Sequence, residues 1–395
     1  MLQIVWFKRD LRLQNHAPLC DAVAAGPVLP LYILEPELWQ QPDVSARHWR
    51  VLRPCLETLA AELAALGQGL IVRTGAAVAV LAALRRQIGP FNLWSHEETG
   101  SLWTYRRDQA VAAWCRAEGI VWREQPQTGV VRRLRSRAGW AEQWQRRMDQ
   151  PLLPAPQGVP SLAAQGLILA SDPLPARLGT PMGPADGSGE QPGDRAMGLR
   201  LLDSFVHRRA AHYSKGLSSP LSAPHACSRL SPALALGTLS MAEVVQRLRY
   251  ASDLQPDAPR ALRGGVKACL SRLAWHCHFM QKLEDQPASK PPACTRRSRG
   301  CAAPIPCCWR PGRGGKPAFP LSMPVCGRWW RPGGSIFACG RCSVPLPPTS
   351  FGRIGGYRRS IWPAASSITS RAFITPRCRC SRAPPASIRC GFIIQ

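Results

Sequence analysis

Acidic residues are missing from more than the last quarter of this chain. All 24 Asp and Glu precede residue 286, and the remaining 110 residues carry 18 Lys and Arg with no acid. At the acid density of the first part about nine would be expected there, because ordinary domains mix charges of both signs. Leucine is nearly absent from the same stretch, with only Leu321 and Leu346, whereas 17 Pro and 10 Cys crowd it. No uninterrupted apolar run approaches the roughly 18 residues of a membrane span. The N-terminus enters a strand-like run, Leu2-Gln3-Ile4-Val5-Trp6-Phe7, with no basic leader, apolar core or cleavage site. This start argues against a secreted, disulfide-stapled module, and a reducing cytoplasm is expected. A net charge of +27 taken whole suggests a protein that coats nucleic acid. Residues 1–285, however, hold 33 basic and 24 acidic residues, only +9, and the other +18 belongs to the acid-free tail.

What is present divides the same way. Short apolar runs at Gln3–Phe7, Pro27–Leu34, Gly69–Arg73, Asn92–Ser95 and Ile120–Glu124 read as five strands. Between them Ala46–Leu66, Ala76–Gln87 and Thr104–Ala117 carry apolar residues at helical spacing, with Leu52, Leu56, Leu59, Leu63 and Leu66 on one face. This alternation predicts an α/β domain with a parallel sheet covered by helices. Gln150–Pro192, rich in Pro, Gly, Ser and Ala, reads as a linker. Helical patterns without strands follow at Ala196–Arg209, Ser231–Leu236, Met241–Tyr250 and Ala261–Leu283. Beyond Gln286 no period of 2 or 3.6 persists. The expected domains are 1–130 (α/β), 131–193 (linker), 194–285 (helical) and 286–395 (an irregular tail with no native domain).

Several motifs in order carry a resemblance. Val5-Trp6-Phe7-Lys8-Arg9-Asp10-Leu11-Arg12-Leu13, with Asn15-His16 and Pro18-Leu19, comes first. His96-Glu97-Glu98-Thr99-Gly100 follows, with Trp103-Thr104-Tyr105 and Arg107-Asp108. Then come Tyr213, Ser228-Arg229-Leu230-Ser231-Pro232, Gly237-Thr238-Leu239-Ser240 and Trp275-His276-Cys277-His278-Phe279. Over 1–285 these resemble the photolyase/cryptochrome family, in a bacterial branch. The resemblance implies a Rossmann-like N-terminal domain with a five-stranded parallel sheet, then a partial all-α FAD-binding domain. It implies a deoxyribodipyrimidine photo-lyase that splits pyrimidine dimers in DNA by light-driven electron transfer from reduced FAD, acting as a cytoplasmic monomer away from membranes. The alternatives kept open are a cryptochrome-like blue-light sensor without repair and a non-functional pseudogene product. FAD is the implied cofactor. Tyr213, Cys227, Ser228, Arg229, Leu230, Ser231, Arg272, Trp275 and His276 are its implied contacts, and Trp275 is the one residue placed at the substrate cavity. A second, antenna pigment of folate or deazaflavin type is also implied, with Glu97 and Glu98 as candidates to hold it against the plainer reading of a solvated loop.

The chemistry of these residues supports part of this on its own. Ser228 and Ser231 offer hydroxyls, and the 227–231 backbone offers N–H groups near a helix start, which suits phosphate. The plain alternative for Ser231-Pro232 is an N-cap with proline in the first turn. Arg229 either adds positive charge or ties helices together. Trp275 has the alternative of a core aromatic. His276, Cys277 and His278 point about 100° apart on a helix and cannot close on one metal. The run Arg132, Arg133, Arg135, Arg137 with Trp140 and Trp144 reads as a charged linker face or a phosphate contact. One position departs from the family: Arg272 stands where dimer-repairing members carry a Glu that contacts the dimer, which puts repair in doubt. His276 stands where they carry an Arg.

The tail has its own explanation. Read one base out of register, Trp329-Trp330-Arg331 must encode Val-Ala, and Arg331 to Ser343 admits a run beginning Thr-Gly-Trp-Ile-Asn. Ser367 to Gln395 admits Phe-Asp-Tyr-Glu-Pro-Gly and later Arg-Ile-Tyr-Asn. Both look like the second half of this family's flavin domain, so a frameshift is expected to begin between about Asp285 and Lys316. The tail's metal-like cysteine spacings, such as Cys339 and Cys342, would then be accidental. By the same resemblance the rest of the flavin pocket would be missing and activity impaired.

Overall fold

A computed structural model describes residues 1–163, 166–181, 190–253 and 258–285. The out-of-frame reading of 286–395 lies outside the described residues. Five strands form one parallel sheet: β1 (Leu2–Phe7), β2 (Val28–Leu34), β3 (Ile71–Thr74), β4 (Phe91–His96) and β5 (Trp122–Gln125), in the order β3-β2-β1-β4-β5. All four pairings are parallel. The sequence-based strands agree in number and place, with ends displaced by one or two residues.

Helices cover both faces, so the inner strands are apolar on both sides. Val5 and Phe7 of β1 point to one core and Ile4 and Trp6 to the other, the two-residue period of a pleated strand. The first core packs under α1 (Ala17–Ala25) and α2 (Ala46–Ala65), where Leu52, Leu56, Leu59 and Leu63 are buried. The second packs under α3 (Ala77–Ile88) and α4 (Leu102–Ala117). Pro30 is tolerated inside β2 because pairing to β3 begins only at Leu31, so its missing N–H leaves no gap in that ladder.

The interval 131–193 is more structured than its composition suggests. It holds α5 (Trp140–Met148), whose Trp144 and Met148, one turn apart, are buried in the helical core. Residues 150–163 and 166–181 then run back along the α/β unit as a strap. Asn15 N donates to Leu153 O, Val159 N to Leu66 O, and Ala46 N to Thr180 O. Beside β3, Val72 N donates to Ser171 Oγ, Asp172 N to Val72 O and Thr74 N to Asp172 Oδ2.

The helical layer comprises α6 (Arg195–Ser204), a π-turn (Phe205–Arg209), α7 (Ala210–Gly216), α8 (Ala223–Ala226), α9 (Ser231–Leu236), α10 (Met241–Asp253) and α11 (Arg260–Asp285). The expected single helix Ala196–Arg209 is thus α6 plus a wider turn, which passes into α7. α11 crosses α7 so closely that a Cβ on Gly265 would lie 1.7 Å from Ala210 O. The two layers join where α9 meets the β1–α1 turn. Leu11 N donates to Leu236 O, Arg12 Nη1 to Gly237 O (2.8 Å) and Asn15 Nδ2 to Ser240 Oγ (2.8 Å). Among the described residues no helix is long and apolar enough to cross a membrane.

Candidate functional site

The Lys8–His16 turn is built around one carboxylate. Asp10 is fully buried; its Oδ1 accepts from Lys8 N (2.7 Å), and its Oδ2 accepts from His16 Nε2 (2.9 Å) and His96 Nδ1 (2.8 Å). Burial works to raise the Asp10 pKa, but the bonds from His16 and His96 outweigh it and hold the group well below the usual carboxylate range. Burial pushes both imidazoles down, His96 to about 3, so they are neutral at pH 7. Among the described residues this is the group of side chains with metal-ligand geometry, its atoms lying within 4.8 Å of one another. His16 Nδ1, however, accepts from Leu19 N as the cap of α1, which puts the proton on Nε2 and leaves it no lone pair for a metal. The triad is a hydrogen-bonded anchor.

Beside it lies a buried ion cluster at the carboxyl ends of the strands. Arg107 Nη1 donates to Glu35 Oε2 (2.7 Å), and its Nη2 to Glu98 Oε2 (2.6 Å) and Asp108 Oδ1 (2.8 Å). Lys8 Nζ sits 3.5 Å from Asp108 and 3.7 Å from Glu124, 4.8 Å above the Trp6 ring. Arg132 reaches Asp108 (3.2 Å) and Glu124 (3.3 Å). Glu98 is therefore buried and engaged, neither a solvated loop residue nor a free carboxylate for a pigment. Arg132 belongs to the interior, whereas Arg133 and Arg135 do not follow it: Arg135 is exposed, and Arg137 pairs with Asp285.

Glu35 carries a pH prediction. Burial raises its pKa to about 7 against the pull of Arg107, and its Oε1 is buried with no hydrogen-bond partner, free to take the proton while Oε2 still accepts from Arg107. An unfolded glutamate ionises near 4.5, so between about 4.5 and 7 the native state holds the extra proton. This contribution is fully present below 4.5 and is lost as pH rises to 7, on the order of 3 kcal/mol at most. Glu35→Gln is expected to flatten that part of the parent's stability profile. Urea midpoints from pH 5 to 8 that fall alike in both proteins would contradict it.

The implied flavin residues lie on α7, the 227–231 loop and α11. Tyr213 is buried edge-on against Phe205, 5.4 Å between ring centres, and burial raises its pKa. It interacts electrostatically with Cys269, Cys227 and Arg272, and the Ser228 hydroxyl faces the Cys269 thiol. Tyr213, Ser228 and the Cys269–Arg272 stretch of α11 therefore meet in one place. Cys227 and Leu230 are buried and Ser231 is exposed. Arg229 adopts φ +59 and Leu230 φ −84, ψ −3, opposite-handed dihedrals that turn successive amides to one side. The Arg229 side chain is spent on tying, with Nε donating to Gln191 Oε1 (2.8 Å). On α11, Arg272 is exposed with its guanidinium 4.5 Å from the ring centre of Trp275, which is itself 38% exposed. His276 Nδ1 is buried with no partner, and burial lowers its pKa. Cys277 is in the core and His278 faces Trp140, so the three consecutive side chains diverge.

Sequence reasoning missed Arg209. The π-turn aims its guanidinium at the carbonyls of Cys227, Ser228 (3.2 Å) and Leu201 (2.5 Å), pinning the loop from behind. It also missed the partners of Asp10, although Asp10, His16 and His96 all lay within quoted motifs.

The sequence model of the DNA photolyase family matches residues 3–136. The deoxyribodipyrimidine photo-lyase of Streptomyces griseus is 28% identical over 295 residues, 72% of this chain and 61% of that protein. Residues 3–136 belong to the DNA photolyase family, and the likeness to its curated members extends over 72% of the chain. Cryptochrome-1 of Arabidopsis thaliana is 29% identical over 272 residues, 62% of this chain and 37% of that protein. In fold, the chain is similar to a bacterial class III photolyase from Agrobacterium tumefaciens, with a TM-score of 0.57 at 21% identity over 72% of this chain and 59% of the other. A Synechocystis cryptochrome gives 0.56 at 18%, covering 72% and 62%. An archaeal photolyase from Sulfolobus tokodaii, solved with two FAD molecules, gives 0.50 at 20%, covering 73% and 60%. The chain thus spans about three-fifths of the photolyases it matches. Within the family, the Lys8–His16 turn joins the sheet domain to α9, and the Tyr213, Ser228 and α11 cluster lies in the helical layer.

Proposed function

We propose that this chain binds FAD in its helical layer and acts on DNA as a light-driven member of the photolyase/cryptochrome family. The observation that carries the reading is the meeting of Tyr213, Ser228 and α11 around Cys269 in a chain of this family. The residues fit one side of the cofactor. The amides after Arg229 turn together towards a phosphate, and the buried, unpartnered Nδ1 of His276 is a polar atom awaiting a partner. FAD, when bound and reduced, supplies the light-absorbing electron donor. The chain's own groups would do the rest. Ser228 and Ser231 hold phosphate, the α11 face excludes water, and exposed Trp275 offers a ring to a base taken out of the DNA stack. The domain limits 1–130, 131–193 and 194–285, a monomeric state and a cytoplasmic location belong to the same proposal, as does the out-of-frame origin of 286–395. Resequencing the coding DNA tests that origin, and an uninterrupted frame through Gln395 would refute it.

A sensing role is favoured over dimer repair by one observation. Arg272 stacks on Trp275 and can only donate, where an acceptor for the dimer is needed. Purified protein is expected to show a flavin absorbance band, and light is expected to leave a thymine-dimer oligonucleotide intact. Absence of flavin would sink the cofactor reading, and dimer loss in the light would reinstate repair. With flavin bound, Arg272→Glu is expected to tighten dimer binding several-fold, read by fluorescence anisotropy at fixed salt.

A further inference from the structure

In a doubly wound parallel sheet a ligand enters outside the carboxyl ends of the strands, at the point where the strand order reverses. The order β3-β2-β1-β4-β5 puts that crevice between β1 and β4. We propose that this chain closes the crevice with its own side chains, so that the crevice has no room for an antenna pigment. The proposal deepens the family reading, which supplies the pigment, but the closure itself rests on Arg107 and its partners alone.

Arg107 spans the opening. One arm of its guanidinium holds Glu35, just past β2, and the other holds Glu98, just past β4. Those strands are two sheet spacings apart, about 10 Å, with β1 between them. The guanidinium carbon lies 4.7 Å from the Trp6 ring centre and 5.9 Å from that of Trp103, so the planar group takes the place a flat ring would need. Beneath it Lys8 Nζ is wedged between Asp108 and Glu124, over both Trp6 and Trp122 (5.6 Å). Arg132 Nη2 closes the side by donating to Glu98 O (2.5 Å). A pigment entering here would displace Arg107, leaving buried Glu35 without its cation and Glu98 and Asp108 without their nearest one, a cost that stacking and hydrogen bonds to a neutral ring do not offset. The open space lies elsewhere. Among the described residues, two cavities of about 260 Å³ are lined by α2 with residues 190–194, and by the start of β3 with residues 161–163 and 167–169.

Amide hydrogen exchange on the full chain tests this, with FAD and 5,10-methenyltetrahydrofolate as separate probes. Residues 97–108 are expected to exchange slowly in the free protein and to be unchanged by either probe, while FAD protects segments within 213–231 and 265–277. Arg107→Leu is expected to speed exchange at 97–108 by tenfold or more. Fast exchange there in the parent, or new protection there by either probe, would overturn the closed crevice. FAD that protects nothing in the helical layer would instead overturn the flavin reading and leave the result at 97–108 to stand by itself.

Discussion

Asp10→Ala is expected to cost about 3–5 kcal/mol of stability, the range for breaking a buried, hydrogen-bonded charge assembly by removing one partner. The substitution leaves three buried donors, Lys8 N, His16 Nε2 and His96 Nδ1, without an acceptor. Each unsatisfied donor costs about 1–3 kcal/mol, and local relaxation keeps the total below their sum. His16 cannot escape by changing tautomer, because its Nδ1 must accept from Leu19 N to cap α1. Asp10→Asn is expected to cost less, since the amide oxygen still serves one side, but its NH2 faces a second donor. Urea unfolding of both variants, followed by tryptophan fluorescence, checks the order. An Asp10→Ala loss under 1 kcal/mol would show that the three donors find water. The triad also sets an acid limit. Both imidazoles are held neutral in the native state while unfolded histidine ionises near 6.5. The unfolded chain therefore binds more protons as pH falls below about 6.5, and stability falls with it.

Gly237→Ala is expected to be comparably severe. Gly237 closes α9 at φ +66, where a side chain is strained, and a Cβ there would lie 2.2 Å from Arg9 O and 2.6 Å from the Asp10 Cα. Both obstacles are backbone of the most constrained turn in the molecule, so neither can step aside as a flexible side chain would. Either α9 backs away, breaking the bonds from Leu11 N to Leu236 O and from Arg12 to Gly237 O, or the turn around Asp10 deforms. Arg12 is buried and charged, and losing Gly237 O leaves its Nη1 without an acceptor while Asn15 O still holds the other arm, which adds to the steric cost. A loss of at least about 3 kcal/mol follows from overpacking combined with an orphaned charge. Because α9 begins at Ser231, weaker flavin retention should accompany it. Thermal unfolding and the protein-bound flavin absorbance read the two effects separately, and unchanged values in both would show that the layers do not depend on this contact.

The strands were legible because β1 to β4 are buried apolar runs, and the amphipathic faces of α2 and α3 showed plainly at Leu52–Leu63 and Val80–Leu84. α4 was placed, although its buried face includes Thr104 and Asp108, which a hydrophobic pattern does not reveal. α5 was hidden because Glu142, Gln143, Gln145, Arg146 and Arg147 outnumber its two buried side chains, Trp144 and Met148, and a short helix shows little periodicity. The Lys8–Asp108 and Glu35–Arg107 contacts join residues 72 to 100 positions apart, and no local spacing encodes such pairs. The Glu98 loop looked solvated for a different reason: its partner Arg107 is only nine residues on, but it is the fold of α4 that turns the two charges together in the interior. The implied flavin residues came from the family motif alone. The φ of Arg229 and the carbonyl grip of Arg209 are properties of the folded backbone, and composition does not report them.

The strap formed by residues 150–163 and 166–181 bears on where this chain can be cut. β3 is the outermost strand on its side, and the strap's Ser171 and Asp172 take up the peptide groups it presents outward. A fragment ending at residue 130, just past the last strand, would retain every sheet pairing and still offer β3 as a bare template to another copy of itself. Dissecting this chain just past the last strand is therefore expected to yield a seed for polymers unless the strap that covers β3 is kept with the sheet.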